Sequence, residues 1–254
     1  MGAHGSFLEY NICMFYFDEL NGHKILRSDC LKDIDAFFTT KGCPLPEESE
    51  RFKIKDANKK ERFVKKSPYF SEPLRILTPN QTHSDYIAIV DEKEEYTETD
   101  GLIVTEPNTL IYLKFADCTP LIFYDQIKKI AAISHAGWRG TAARIGVKTV
   151  AKMVMNFSSK PEDIIVLIGP AISKCCYEVS ADVKTQLLST VKNPNGVYDG
   201  KKVDLKLINA RQLEEIGVEK IDICPYCTSC NNDLFYSYRK ENGTKERHFA
   251  VVKL

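Results

Sequence analysis

The sequence predicts an α+β fold, with mixed β-sheet(s) flanked by a few helices, and three observations predict it. Short apolar runs rich in β-branched and aromatic residues recur along the chain and read as strands. Only three stretches place apolar residues at helical spacing. The strands cluster without regular strand–helix–strand alternation, which argues against a doubly wound parallel sheet. With 254 residues there is ample core, and we expect a single domain over 1–254. Residues 1–6 look like a cloning remnant, so His4 is set aside as a metal donor.

Taken in order, the charge-rich stretch 53–66 predicts an exposed helix or surface excursion with a solvated face. Residues 86–90 predict a strand, and the acidic stretch 91–99 a loop. Strands follow at 101–104, 110–115, 120–124 and 130–134. In 141–155, Ala143, Val147, Val150, Ala151 and Val154 recur at helical spacing. Residues 164–168 predict another strand. Ser180 is placed to cap a helix carrying Val183, Leu187 and Val191. A third helix starts near Asp204, carries Leu205, Ile208, Leu213 and Ile216, and stops at Gly217. Strands at 234–238 and 249–252 complete the reading.

Lys+Arg and Asp+Glu both count 35, so no global basic field favours nucleic acid or an anionic membrane. No apolar run approaches the roughly 18 residues of a membrane span. The start lacks the apolar stretch of a signal peptide, which leads us to expect a cytoplasmic protein. The nine cysteines are then expected to be mostly reduced, with Cys13, Cys30, Cys43 and Cys175 acting as small buried hydrophobes.

Three short segments concentrate the chemistry: Gln81 to Ser84 around His83, Ala116 to Pro120 around Cys118, and His135 to Gly140. Each donor lies near an expected strand end, so the three can converge at one rim of a sheet. Cys and His suit zinc, and three protein ligands leave a fourth position open. The same trio could be a cysteine nucleophile with its base, or two capped surface histidines and a buried cysteine; the residues alone leave these open. Gly137 and Gly140 permit close backbone approach. Arg139 and the free N–H groups of a helix starting at Thr141 are candidate phosphate contacts. Asp117 is a candidate partner for a ligand histidine.

The ordered set QTHS, TDGLIV, ADCTPLIFYD, ISHAGWRGT, IGPAIS..CYEV, VDL...NARQL and CT...LFYSYRK resembles the YfiH/PgeF family. Its members also carry laccase-domain or polyphenol-oxidase names. The matches run from about Phe38 to Leu254. The resemblance implies a YfiH-like fold and a zinc ion held by His83, Cys118 and His135. It also implies phosphorolysis of purine nucleosides (adenosine, inosine, guanosine and methylthioadenosine) with adenosine deamination. A peptidoglycan-precursor editing role is associated with bacterial members. The chain departs from the family in lacking its Gly-Gly-x-Ser and Ser-Leu-Asn-Leu stretches, in Thr82-His83-Ser84 where relatives have VHG, and in Lys245-Glu246-Arg247 where they have TGR.

The expected partners are therefore a small-molecule nucleoside and phosphate, to a monomer or small homo-oligomer, with Zn2+ as cofactor. A cysteine-type hydrolase or amidase with Cys118 as nucleophile is the alternative. A scaffold with a structural metal is a third reading. A cytidine-type deaminase is disfavoured, because no histidine is followed by x-Glu. Laccase chemistry would need many more histidines than four. Cys224, Cys227 and Cys230 form a CxxCxxC that reads as a loop with a structural role, with a second metal site or a disulfide as alternatives; the adjacent Cys175 and Cys176 look poorly spaced for chelation. Residues 169–172 are a candidate pocket rim, Arg239 a candidate phosphate or base contact, and His248 a core or surface residue.

Overall fold

Along residues 130–136, Ala131 and Ile133 face one core while Ile130, Ala132 and Ala136 face another, the two-residue period of a strand buried on both sides. That strand lies within the central sheet of a layered molecule. The computed structural model describes residues 13–55 and 61–254. Among them the strands are β1 (Phe15–Leu20), β2 (His23–Ser28), β3 (Asp35–Thr39), β4 (Arg51–Lys55), β5 (Glu61–Ser67), β6 (Phe70–Leu77), β7 (Ile87–Ile89) and β8 (Gly101–Val104). They continue with β9 (Thr109–Phe115), β10 (Thr119–Asp125), β11 (Ile130–Ala136), β12 (Ile164–Ile168), β13 (Tyr198–Asp199), β14 (Lys202–Val203), β15 (Lys220–Ile223) and β16 (His248–Lys253). The helices are α1 (Trp138–Ala142), α2 (Ile145–Phe157), α3 (Ala181–Leu188) and α4 (Leu205–Glu214).

One sheet runs β1-β2-β3-β16-β9-β6-β5-β4 and a second runs β15-β12-β10-β11-β8-β7. Both are mixed: β6 pairs in parallel with β9, β7 with β8 and β12 with β15, while the other pairs are antiparallel. Leu26, Phe38, Leu113 and Val252 of the first sheet share a core with Leu102, Ile122, Ile133 and Leu167 of the second. The outer face of the second sheet packs against α2 and α4 through Ile145, Val150, Met153, Ala210 and Leu213. The α+β expectation therefore holds, with mixed sheets as anticipated.

Several elements differ from expectation. Residues 53–66 contribute to a β4–β5 hairpin rather than a helix; Phe52 and Ile54 alternate with Arg51, Lys53 and Lys55, a strand period masked by the charge density. The solvated face is correct, and residues 56–60, like His4, lie outside the described residues. The expected helix over 141–155 starts earlier, at Trp138, and breaks after Ala142, with Arg144 left-handed at φ 59° before α2. Residues 234–238 are turns, not a strand. The amides of Leu234 and Phe235 both donate to Asn231 O, and the buried Phe235 alone explains the apolar signal. The helix caps are as read: Ser180 Oγ accepts from Val183 N and Asp204 Oδ1 from Leu207 N. Strands β1 to β3, β6 and β13 to β15 were not expected from the sequence.

Two cysteine expectations fail. Cys13 and Cys30 are joined in a disulfide that ties the chain ahead of β1 to the segment after β2, so they are not free thiols. Cys175 is exposed and Cys43 half-buried, where both were expected to be buried. No helix among the described residues is long and apolar enough to cross a membrane.

Candidate metal centre

Two of the connections between the sheets carry a donor each. Residues 78–86 connect β6 of the first sheet to β7 of the second, with His83 on the way. Residues 116–118 connect β9 to β10, and Cys118 ends that crossing. His135, next to last in β11, pairs opposite Pro120 at the start of β10. The ligand atoms of His83, Cys118 and His135 lie within 4.8 Å of one another. The two imidazoles meet edge to face, with ring centroids 4.8 Å apart.

Asp100, fully buried just before β8, holds this arrangement and was not assigned from the sequence. One carboxylate oxygen lies 2.7 Å from His135 Nδ1. The carboxylate also accepts the successive amides of Thr82, His83 and Ser84 at 3.0, 3.1 and 2.7 Å, and the Ser84 hydroxyl at 2.8 Å. With Nδ1 donating to Asp100, His135 presents Nε2 to the centre. The amide contacts also explain how His83 tolerates a left-handed φ of 61°. The available signal was Thr99-Asp100-Gly101, a short acid directly ahead of a strand.

Asp117, expected to support a histidine, does something else. Its carboxylate accepts from Thr228 Oγ1 at 2.6 Å and from the Arg239 amide at 2.7 Å, holding the far wall of the cleft instead. Sequence adjacency to Cys118 did not make it a neighbour of the imidazoles. Gly137 is required for space: a Cβ there would lie 3.0 Å from Cys118 Sγ and 3.3 Å from His83 Cδ2. Gly140 packs similarly, its would-be Cβ 3.0 Å from His135 O.

Charge reinforces the geometry. Burial pushes the Cys118 thiol up, but the facing His135 and His83 rings reverse this and lower it to about 6. Burial pushes His135 down, but the Cys118 thiolate and Asp100 carboxylate raise it to about 9. Asp100 lies well below the usual carboxylate range despite its burial, because His135 and Ser84 donate to it. Cys118 and His135 thus favour each other's charged forms, a polarity that suits exchange of a proton for a metal cation.

The donors face a cleft of about 660 Å³, a volume within the ordinary range for a small-molecule site. Its far wall carries Tyr177, Tyr238, Arg239, Lys245 and Arg247, with Lys114 on the near side. Arg239 reaches Glu178 O and lies over the Tyr177 ring at 5.5 Å. Of the three expected phosphate contacts, Arg239 lines the cleft. Arg139 is exposed over Trp138 at 4.3 Å and is not among the lining residues. Thr141 is fully buried: its amide donates to Gly137 O and its hydroxyl accepts from Asn209. The helix start it was to provide is already satisfied. Lys245 and Arg247, noted from the sequence only as departures, line the cleft beside Arg239. His248 is buried in β16 against Phe115 and Phe235 and contributes no ligand to the centre.

Residues 56–254 match the family model described as multi-copper polyphenol oxidoreductase laccase. A protein of Clostridium acetobutylicum named purine nucleoside phosphorylase is 35% identical over 174 residues, covering 68% of this chain and 74% of that one. Purine nucleoside phosphorylase YlmD of Bacillus subtilis is 30% identical over 249 residues, covering 87% and 88%. The crystal structure of the hypothetical protein YfiH of Bacillus licheniformis superposes with a TM-score of 0.79 at 27% identity, covering 94% of this chain and 98% of that one.

Proposed function

The chain belongs to the YfiH/PgeF family, and on that premise we propose that it is a zinc-dependent purine nucleoside phosphorylase. Its proposed substrates are adenosine, inosine, guanosine and methylthioadenosine, and adenosine deamination is proposed as a second activity. One observation carries the reading: two imidazoles and a thiolate converge at the floor of a cleft whose opposite wall is cationic and aromatic.

The donor set fits zinc, which accepts nitrogen and thiolate ligands together and, with three protein donors, keeps a position open. His83, Cys118 and His135 would hold it, and Asp100 would orient His135 as the carboxylate partner commonly found behind a metal-bound histidine. Bound there, zinc would supply Lewis acidity toward a donor atom of the substrate.

The protein's own groups divide the remaining work. Arg239, Lys245 and Arg247 offer charge-assisted donors for a phosphate dianion. Tyr177 and Tyr238 offer ring faces for a purine. In phosphorolysis a phosphate oxygen bonds to C1′ as the C1′–N9 bond breaks and the purine leaves with the bonding pair. Holding both reactants in one cleft supplies the proximity this step needs.

Multi-copper chemistry is not proposed, despite the family's description. Two histidines and one cysteine meet here, whereas His23 lies against Tyr69 and His248 against Phe115 and Phe235. The hydrolase alternative is not carried forward either: Cys118 sits within a metal-ligand set, and the two relatives above bear phosphorylase names. The test is a nucleoside panel with zinc-loaded protein. Purine release that requires phosphate, and inosine formed from adenosine, are expected. Absence of purine release from all four nucleosides with phosphate would overturn the phosphorylase reading.

A further inference from the structure

β12 and β15 are parallel neighbours, so the chain leaves both at the same edge of the second sheet. Their pairing runs on past the strands. Cys224 N donates to Ile168 O, Ala171 bridges Cys227 in parallel, and Thr228 N donates to Ala171 O. Two tight turns follow, one at 174–176 and one at 228–230. The first turn carries Cys175 and Cys176, the second carries Cys230 with Cys227 directly ahead of it, and the topology brings the two pairs face to face.

The result is a cluster of Cys175, Cys176, Cys227 and Cys230 whose sulfurs all lie within 4.8 Å of one another. Cys230 Sγ is 3.5 Å from Cys175 Sγ and 3.4 Å from Cys176 Sγ, and Ser173 N donates to Cys227 Sγ at 3.3 Å. Four thiolates about 2.3 Å from one tetrahedral ion stand about 3.8 Å apart, within the spread seen here. A disulfide needs about 2.05 Å, so these sulfurs are spaced for a shared ion rather than for a bond. The adjacency of Cys175 and Cys176, which looks poor for chelation in the sequence, is overcome because the opposite turn supplies the other two ligands.

We propose that these four cysteines form a second metal site, a tetrathiolate centre for one thiophilic divalent cation such as zinc. Binding exchanges the thiol protons for the ion and breaks no covalent bond between heavy atoms. The site fastens the cleft's far wall. Tyr177 follows Cys176 directly, Glu178 O takes the Arg239 guanidinium, and Thr228, between Cys227 and Cys230, holds Asp117, which in turn holds the Arg239 amide. It stands apart from the His83, Cys118 and His135 centre and shares no ligand with it.

The test counts metal in the reduced full-length protein after zinc loading and removal of loose ions. About two zinc ions per chain are expected, falling to about one in Cys118→Ala and to about one in the double variant Cys175→Ser with Cys230→Ser. Both residues of that double variant are exposed, so the fold should tolerate it. If only the first centre is wrong, wild type binds one ion, keeps it in Cys118→Ala and loses it in the double variant. On wild type, thiol alkylation read by mass spectrometry should show Cys175, Cys176 and Cys230 protected by zinc and released by a chelator. An unchanged metal count in the double variant would overturn the proposal. So would equal alkylation with and without zinc, or a disulfide among these four in the reduced protein.

Discussion

Asp100 binds both arms of the centre, the imidazole of His135 and the amide run of the His83 loop. Loss of such a carboxylate partner commonly costs about 10 to 100-fold in metal affinity. Asp100→Asn should therefore weaken zinc binding by about that factor while the protein remains folded, measured by competition with a chromophoric chelator. An unchanged affinity would deny Asp100 its positioning role. His248 gives a separate expectation about pH. Its burial pushes it from 6.5 down to about 3, so the unfolded chain binds more protons between these values. The stability it contributes is complete above pH 6.5 and is lost as pH falls toward 3. Asp222, raised by burial to about 6 and bonded by Ser28, has the opposite sign between 3.8 and 6. His248→Phe should flatten the fall of Tm on acidification below pH 6.5, and an unaltered slope would count against this account. At this scale the three candidate donors could be picked out in the sequence, but the residues alone left a metal centre, a cysteine nucleophile and a buried cysteine open, and it is the family resemblance that implies a zinc site there. Their supports could not be picked out: Asp117 neighbours Cys118 in sequence and Asp100 does not, yet the fold gives Asp100 the histidine.

The elements that place the site are the sheet-to-sheet connections at 78–86 and 116–118 and the end of β11. Strands buried on both faces, such as β8, β10, β11 and β12, were legible as continuous apolar runs. The β4–β5 hairpin was not, because lysines and arginines occupy its solvent side and hide the alternation. The helix after His135 was legible but its start was misplaced. Turning helical at Trp138 leaves Arg139 exposed against Trp138 and Thr141 buried, and neither lines the cleft. A clear contrast follows. Charge-assisted contacts are worth about 1.5–3 kcal/mol, or about 10 to 100-fold. Arg239→Ala and Arg247→Ala should each raise the KM for phosphate by about that factor, and Arg139→Ala should leave it unchanged. A large effect confined to Arg139→Ala would place the phosphate on the wrong wall.

Across the whole molecule, two mixed sheets share one apolar core, and helices cover the outer face of the second. The centre lies where the chain passes between the sheets, so its donors come from three separate elements fixed by one core. This is why the sequence pointed to the fold class and the candidate donors but not to the cleft. The Arg239, Lys245 and Arg247 wall comes from residues 239–247, more than a hundred positions beyond Cys118, and the pairing of β16 with β9 and the Asp117 bond to the Arg239 amide return that segment to the site. The decisive measurement for phosphorolysis of purine nucleosides at the proposed centre of His83, Cys118 and His135 follows hypoxanthine and ribose 1-phosphate from inosine, with wild-type protein and Cys118→Ala compared at measured zinc content. The two products should appear in equal amounts, only with phosphate, and only in the zinc-bearing wild type. Equal turnover by Cys118→Ala, or hypoxanthine formed without phosphate, would contradict phosphorolysis at this centre.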